Sequence, residues 1–103
     1  MRKISIDSAI AFLNKKPFNK QNMAVNDGVM RLYGNRIAWS ENDKLILSDC
    51  GYQTVTTKDR LNAVLTLLNK GRIFQKNFEW FYKPMNGKTI PFNNQIEVQL
   101  WNI

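Results

Sequence analysis

The stretch Gly51-Tyr-Gln-Thr-Val-Thr-Thr-Lys-Asp-Arg-Leu-Asn-Ala-Val-Leu-Thr-Leu-Leu68 joins an extended, β-branched segment directly to an amphipathic helix. Thr56 or Thr57 can accept a hydrogen bond from the first free helix amides. Thr56 and Asp59 have the spacing of a capping box, worth about 1 kcal/mol. Beyond them Leu61, Val64, Leu65 and Leu68 recur at helical spacing, with Asp59, Thr66 and Lys70 on the other side. Asn69-Lys70-Gly71 closes the helix, with Gly71 as its left-handed stop.

Working outward, residues 7–14 read as a short helix with Ile6, Ala9, Ile10 and Leu13 on one face and Asp7 or Ser5 as cap, ended by Pro17. Residues 15–28 are polar and turn-rich, with at most a short strand at 23–25. A meander follows, with strands over 29–33, 36–40 and 44–48 separated by Gly34-Asn35 and Glu41-Asn42-Asp43. Period-two alternation sets Met30 and Leu32, Ile37 and Trp39, and Leu45 and Leu47 each on one face. Residues 52–55 read as a short extended piece. Downstream of the helix, 72–75 and 78–82 form a hairpin across Lys76-Asn77, and a loop with Pro84, Gly87 and Pro91 leads to a last strand over 96–101. These elements make one α+β domain over residues 1–103, an antiparallel sheet of five to six strands with two helices on one face.

With 103 residues, 44% of them hydrophobic, the chain has the size and composition of one globular core. No apolar run reaches the ~18 residues that span a bilayer. Residues 4–13 are too interrupted by Ser5, Asp7 and Ser8 for a signal-peptide core, so a cytoplasmic location is expected. A lone cysteine, Cys50, excludes an internal disulfide. It also has no neighbouring cation in sequence to activate it, and reads as a plain thiol.

Chemistry is narrowed mainly by what is missing. The chain contains no histidine, which removes histidine-based nucleophile arrangements and histidine-ligated metals, and one cysteine cannot build a thiolate zinc site. Each of the five glycines stands alone, so no phosphate-cradling glycine loop exists. A carboxylate and magnesium site would have to come from Asp27, Glu41, Asp43, Asp49, Asp59, Glu79 and Glu97, most of which sit at turns where short acids serve local hydrogen bonds. The expectation is a binding protein, not an enzyme, with no cofactor and no metal.

A net charge of +7 favours an anionic partner, and the basic excess lies toward the two ends of the sequence. Two groupings carry it. Lys58 and Arg60 stand at the amino end of the second helix, where free amides also attract anions. Phe74, Phe78, Trp80, Phe81 and Tyr82 are interleaved with Arg72, Lys76 and Lys83, the mix of ring faces and cations that binds single-stranded nucleic acid. Core packing competes for the rings: Phe74, Phe78, Trp80 and Tyr82 suit the buried side of the hairpin, leaving Phe81 pointing outward. The candidate surface is therefore Lys58, Arg60, Arg72, Lys76, Phe81 and Lys83.

Leu32-Tyr-Gly-Asn-Arg-Ile-Ala38, Gly51-Tyr-Gln-Thr-Val-Thr-Thr-Lys-Asp-Arg-Leu-Asn62 and Arg72-Ile-Phe-Gln-Lys-Asn77, followed by the Trp80 strand, resemble a group of small bacteriophage proteins. That resemblance implies a phage-encoded accessory protein acting in the host cytoplasm. Its partner would be nucleic acid or, alternatively, an acidic host or defence protein that it inhibits, anti-CRISPR action included.

Overall fold

The computed structural model describes residues 1–100, so the strand end expected at Trp101 lies outside the described residues. Helix α1 (Lys3–Leu13) is followed by β1 (Phe18–Lys20), β2 (Met23–Asn26), β3 (Val29–Leu32), β4 (Asn35–Glu41) and β5 (Lys44–Ser48). Helix α2 (Val55–Leu68) then leads to β6 (Arg72–Lys76), β7 (Glu79–Lys83), β8 (Ile90–Pro91) and β9 (Gln95–Gln99). The six-stranded sheet has the order β1-β2-β3-β4-β5-β9, and β6-β7-β8 form a second, three-stranded sheet. The α+β architecture with two helices agrees with the sequence reading, whereas the hairpin after α2 builds its own sheet.

The meander is held by two-residue turns in which both central residues have positive φ: Asp27-Gly28, Tyr33-Gly34 and Asn42-Asp43. This is the turn whose twist matches that of paired strands. The β3–β4 turn is Tyr33-Gly34, one residue earlier than expected. A register shift between Met30 and Arg31 then places both Ile37 and Ala38 in the core. Trp39 is turned to the outer face opposite Ile46, reversing the side expected from simple alternation, because a bulge adds one residue to the period. Residues 18–20 and 90–91 form strands that the sequence reading left in loops, and the expected extended piece over 52–55 is instead the approach to α2 over 52–54 and its first residue, Val55.

Both helices begin differently from expectation, and α1 also packs differently. α2 is capped by Thr54, whose Oγ1 accepts from Thr57 N at 3.1 Å, so neither Thr56 nor Thr57 is the cap. Asn69, with φ of 56°, is its left-handed end. Gly71 serves a different purpose: a β-carbon there would lie 2.1 Å from the Lys83 carbonyl oxygen, so glycine lets β7 approach the end of the helix. α1 starts at Lys3 without a side-chain cap and buries Ser5, Ser8, Ala9 and Phe12, leaving Ile10 exposed. Small residues on that stripe let it lie close to α2, and one of them, Ser5, provides a hydroxyl that α2 uses.

Candidate nucleic-acid interface

Antiparallel pairing puts directly opposite residues on one face. In the β6–β7 hairpin Ile73 lies opposite Tyr82 and Gln75 opposite Trp80; of these Ile73, Trp80 and Tyr82 are buried. The Trp80 ring meets Phe92 edge-on, with centroids 5.6 Å apart. The other face carries the remaining pairs: Arg72 opposite Lys83, Phe74 opposite Phe81, and Lys76 opposite Glu79. Pro91 of β8 lies beside Phe81 on that same face.

The outer face is thus an aromatic pair inside a ring of charge. Phe74 and Phe81 stack with centroids 5.6 Å apart and an interplanar angle of 27°. The Arg72 guanidinium lies 5.3 Å from the Phe74 ring centroid, within cation–π range. Among the described residues Arg72, Lys76 and Lys83 enter no ion pair. Glu79 is the one acid in the paired stretch, so the face is net positive. At the hairpin tip Asn77 and Phe78 have φ of 52° and 65°, and Phe78 is 93% exposed. The turn is one residue later than the expected Lys76-Asn77, which sends Phe78 into solvent instead of into the core.

Three contacts fix this small sheet to α2. Asn62 donates to the Ile73 carbonyl at 2.9 Å and accepts from Ile73 N at 2.7 Å, closing the start of the β6 edge. Tyr82 Oη donates to the Lys70 carbonyl, and burial pushes the Tyr82 pKa up. Gly71 lies against Lys83 and Pro84. A platform anchored in this way presents its rings in one arrangement, which limits the ordering entropy that binding would cost.

Of the six residues expected to form a surface, Arg72, Lys76, Phe81 and Lys83 share this face. Lys58 is half-buried on α2, one turn before Asn62 and so on the stripe that faces β6. Arg60 is not a surface residue, and the expectation for it is corrected. Its side chain is 1% exposed, donates to Ser5 Oγ at 2.7 Å and to Asn22 Oδ1 at 3.2 Å, and lies 3.8 Å from the Asp59 carboxylate. Helical spacing places it with Ala63 and Val64 against the core, where the Ser5 hydroxyl of α1 meets the guanidinium. Burial lowers the Arg60 pKa, with Asp59 acting in the opposite direction.

A family model described as Kyanoviridae Gp96 protein matches residues 1–99. The chain belongs to that family. It is accordingly a bacteriophage protein, as the resemblance implied at a coarser level. No curated protein and no solved structure matches the chain. In this Gp96-family fold no helix among the described residues is long and apolar enough to cross a membrane. No three His, Cys, Asp or Glu among the described residues are grouped to hold a metal ion.

Sequence reasoning placed Phe74 and Phe78 on the buried side of the hairpin, whereas Phe74 lies on the outer face and Phe78 at the exposed tip. Alternation starting from Phe78 assigned it, with Phe74, to the buried side, but Phe78 belongs to the turn and Phe74 pairs with Phe81. The signal that was available is Ile73, one residue before Phe74 and directly opposite Tyr82: an aliphatic at that position is the natural inward partner.

Proposed function

We propose that this phage protein is a non-catalytic accessory factor that binds single-stranded nucleic acid on the outer face of the β6-β7-β8 sheet. The observation that carries the reading is the stacked Phe74–Phe81 pair flanked by Arg72, Lys76 and Lys83, none of which enters an ion pair among the described residues. Rings accept unstacked bases at about 1–3 kcal/mol per base, and the cations neutralise phosphates along the strand. A duplex hides its base faces and gains only the electrostatic part, so single strands are preferred.

Fluorescence anisotropy with labelled single-stranded DNA, single-stranded RNA and duplex, over a salt series, tests this. Phe74→Ala or Phe81→Ala should weaken single-stranded binding roughly 5- to 100-fold and duplex binding little. Lys76→Glu should lower affinity for both and make the salt slope shallower by about 0.7 for single strands. No measurable affinity at ~50 mM salt for any of the three would sink the reading. The weight would then shift to an acidic host or defence protein as the partner of this surface.

A further inference from the structure

A second feature lies away from the small sheet. Two tight turns bring a pair of tyrosines to one cleft of about 310 Å³. Tyr33 and Gly34, with φ of 51° and 81°, make the β3–β4 turn, and Cys50 and Gly51, with φ of 52° and 83°, carry the chain from Asp49 to Tyr52. The second turn is closed by Tyr52 N donating to the Asp49 carbonyl at 2.8 Å. Tyr33 is 75% exposed and Tyr52 60% exposed, and both line the cleft. The first position of such a turn favours Asn, Asp or Gly, so a tyrosine there is held in a conformation that its own backbone disfavours. An aromatic ring kept in solvent at the cost of strain, at Tyr33, with a second exposed ring at Tyr52 lining the same cleft, points to a ligand.

The polar groups narrow its chemistry. Leu32 and Ile37, both core residues, give the cleft apolar wall. Asp49 also lines it and is buried; its Oδ1 accepts from Gly51 N at 2.6 Å and its Oδ2 from Gln53 Nε2 at 3.0 Å. Among the described residues it has no cationic partner, and each carboxylate oxygen retains a free lone pair. The Thr54 and Thr57 hydroxyls, 2.9 Å apart, and the Asn35 amide complete the polar lining. Among the described residues no lysine or arginine lines the cleft. A phosphate group therefore has no counter-charge here, whereas a planar ring with N–H donors meets tyrosine faces, apolar wall and a buried acceptor together.

We propose that this cleft binds one amino-bearing nucleobase, supplied either as a free nucleoside or as a base turned out of a strand. The cleft shares no lining residue with the Phe74–Phe81 face, and the inference goes beyond the sheet-face reading without depending on it. A uracil ring, with a carbonyl where cytosine has its amino group, would set that oxygen against the Asp49 carboxylate and bind more weakly.

Amide-resolved NMR titration of the whole chain with adenosine, cytidine and uridine, and with short oligo-A and oligo-U strands, tests this. Saturable shifts at Tyr33, Asn35, Thr54 and Thr57 are expected with adenosine or cytidine, and with uridine only at roughly tenfold higher concentration or not at all. Shifts with oligo-A but not with free nucleosides would assign the source to a strand. Tyr52→Ala should weaken binding roughly tenfold. Tyr33→Asn should also weaken it and at the same time raise the thermal midpoint, since Asn suits the turn. Phe81→Ala, by contrast, should leave nucleoside shifts unchanged, so failure of the sheet-face reading is distinguishable. The proposal is overturned if no probe moves these amides, if uridine binds as well as the amino-bearing bases, or if both tyrosine variants bind like the parent.

Discussion

Phe78 occupies the second position of the β6–β7 turn with φ of 65° and almost its whole surface in water. A left-handed backbone at a residue with a β-carbon costs about 1–2 kcal/mol, and an exposed phenyl ring gains nothing from burial. Replacing it with glycine should therefore stabilise the fold by about 1 kcal/mol, read from the urea midpoint. The same change should weaken single-stranded binding if the tip ring extends the stacking surface. Arg60 is the opposite case, a charged residue whose contribution is internal. Arg60→Ala should cost roughly 3 kcal/mol in urea unfolding, because Ser5 and Asn22 lose their buried donor and Asp59 its neighbouring cation. Nucleic-acid affinity should stay at the parent level. Sequence spacing could not separate these two residues: a charge at a helix start and a phenylalanine in a hairpin each have a common location, and both are elsewhere here.

The helices are joined by a polar contact that a hydrophobic periodicity does not encode. Ser5 Oγ donates to Asp59 Oδ2, and Arg2 N donates to the same oxygen at 3.2 Å. Burial alone would raise the Asp59 pKa; those two hydrogen bonds, the amino terminus and Arg60 outweigh it and hold the value below the ordinary 3.8. A carboxylate with a depressed folded-state pKa stabilises fully above its unfolded value, and that stability is lost as pH falls through the lower folded value. Asp59→Asn should therefore flatten the acid limb of the stability profile below about pH 4, measured by urea unfolding at successive pH values. The position of α2 was legible from Leu61, Val64 and Leu65, all of which are buried. Its partner stripe on α1 was not, because Ser5 and Ser8 do not resemble core residues until the acceptors they face are known.

At the scale of the molecule, alternation and turn residues were enough for the meander, since Met30, Leu32, Leu45 and Leu47 fall on the inner face as spaced. Where the period breaks, at the bulge that buries Ile37 and Ala38 together, nothing in the local residue types announces it. The division into two sheets depends on long-range contacts and was equally hidden. Two of the residues that fix the small sheet to α2, Asn62 and Lys70, lie on the helix side; the most exposed consequence is at Asn62. Its amide occupies both backbone polar groups of Ile73, near the start of what would otherwise be an open strand edge. Open edges recruit further strands from neighbouring copies, and this one belongs to a hairpin rich in phenylalanine. One side chain thus acts as a guard against self-association. Asn62→Ala should produce concentration-dependent oligomers or turbidity, visible by light scattering, under conditions where the parent chain scatters as it does when dilute.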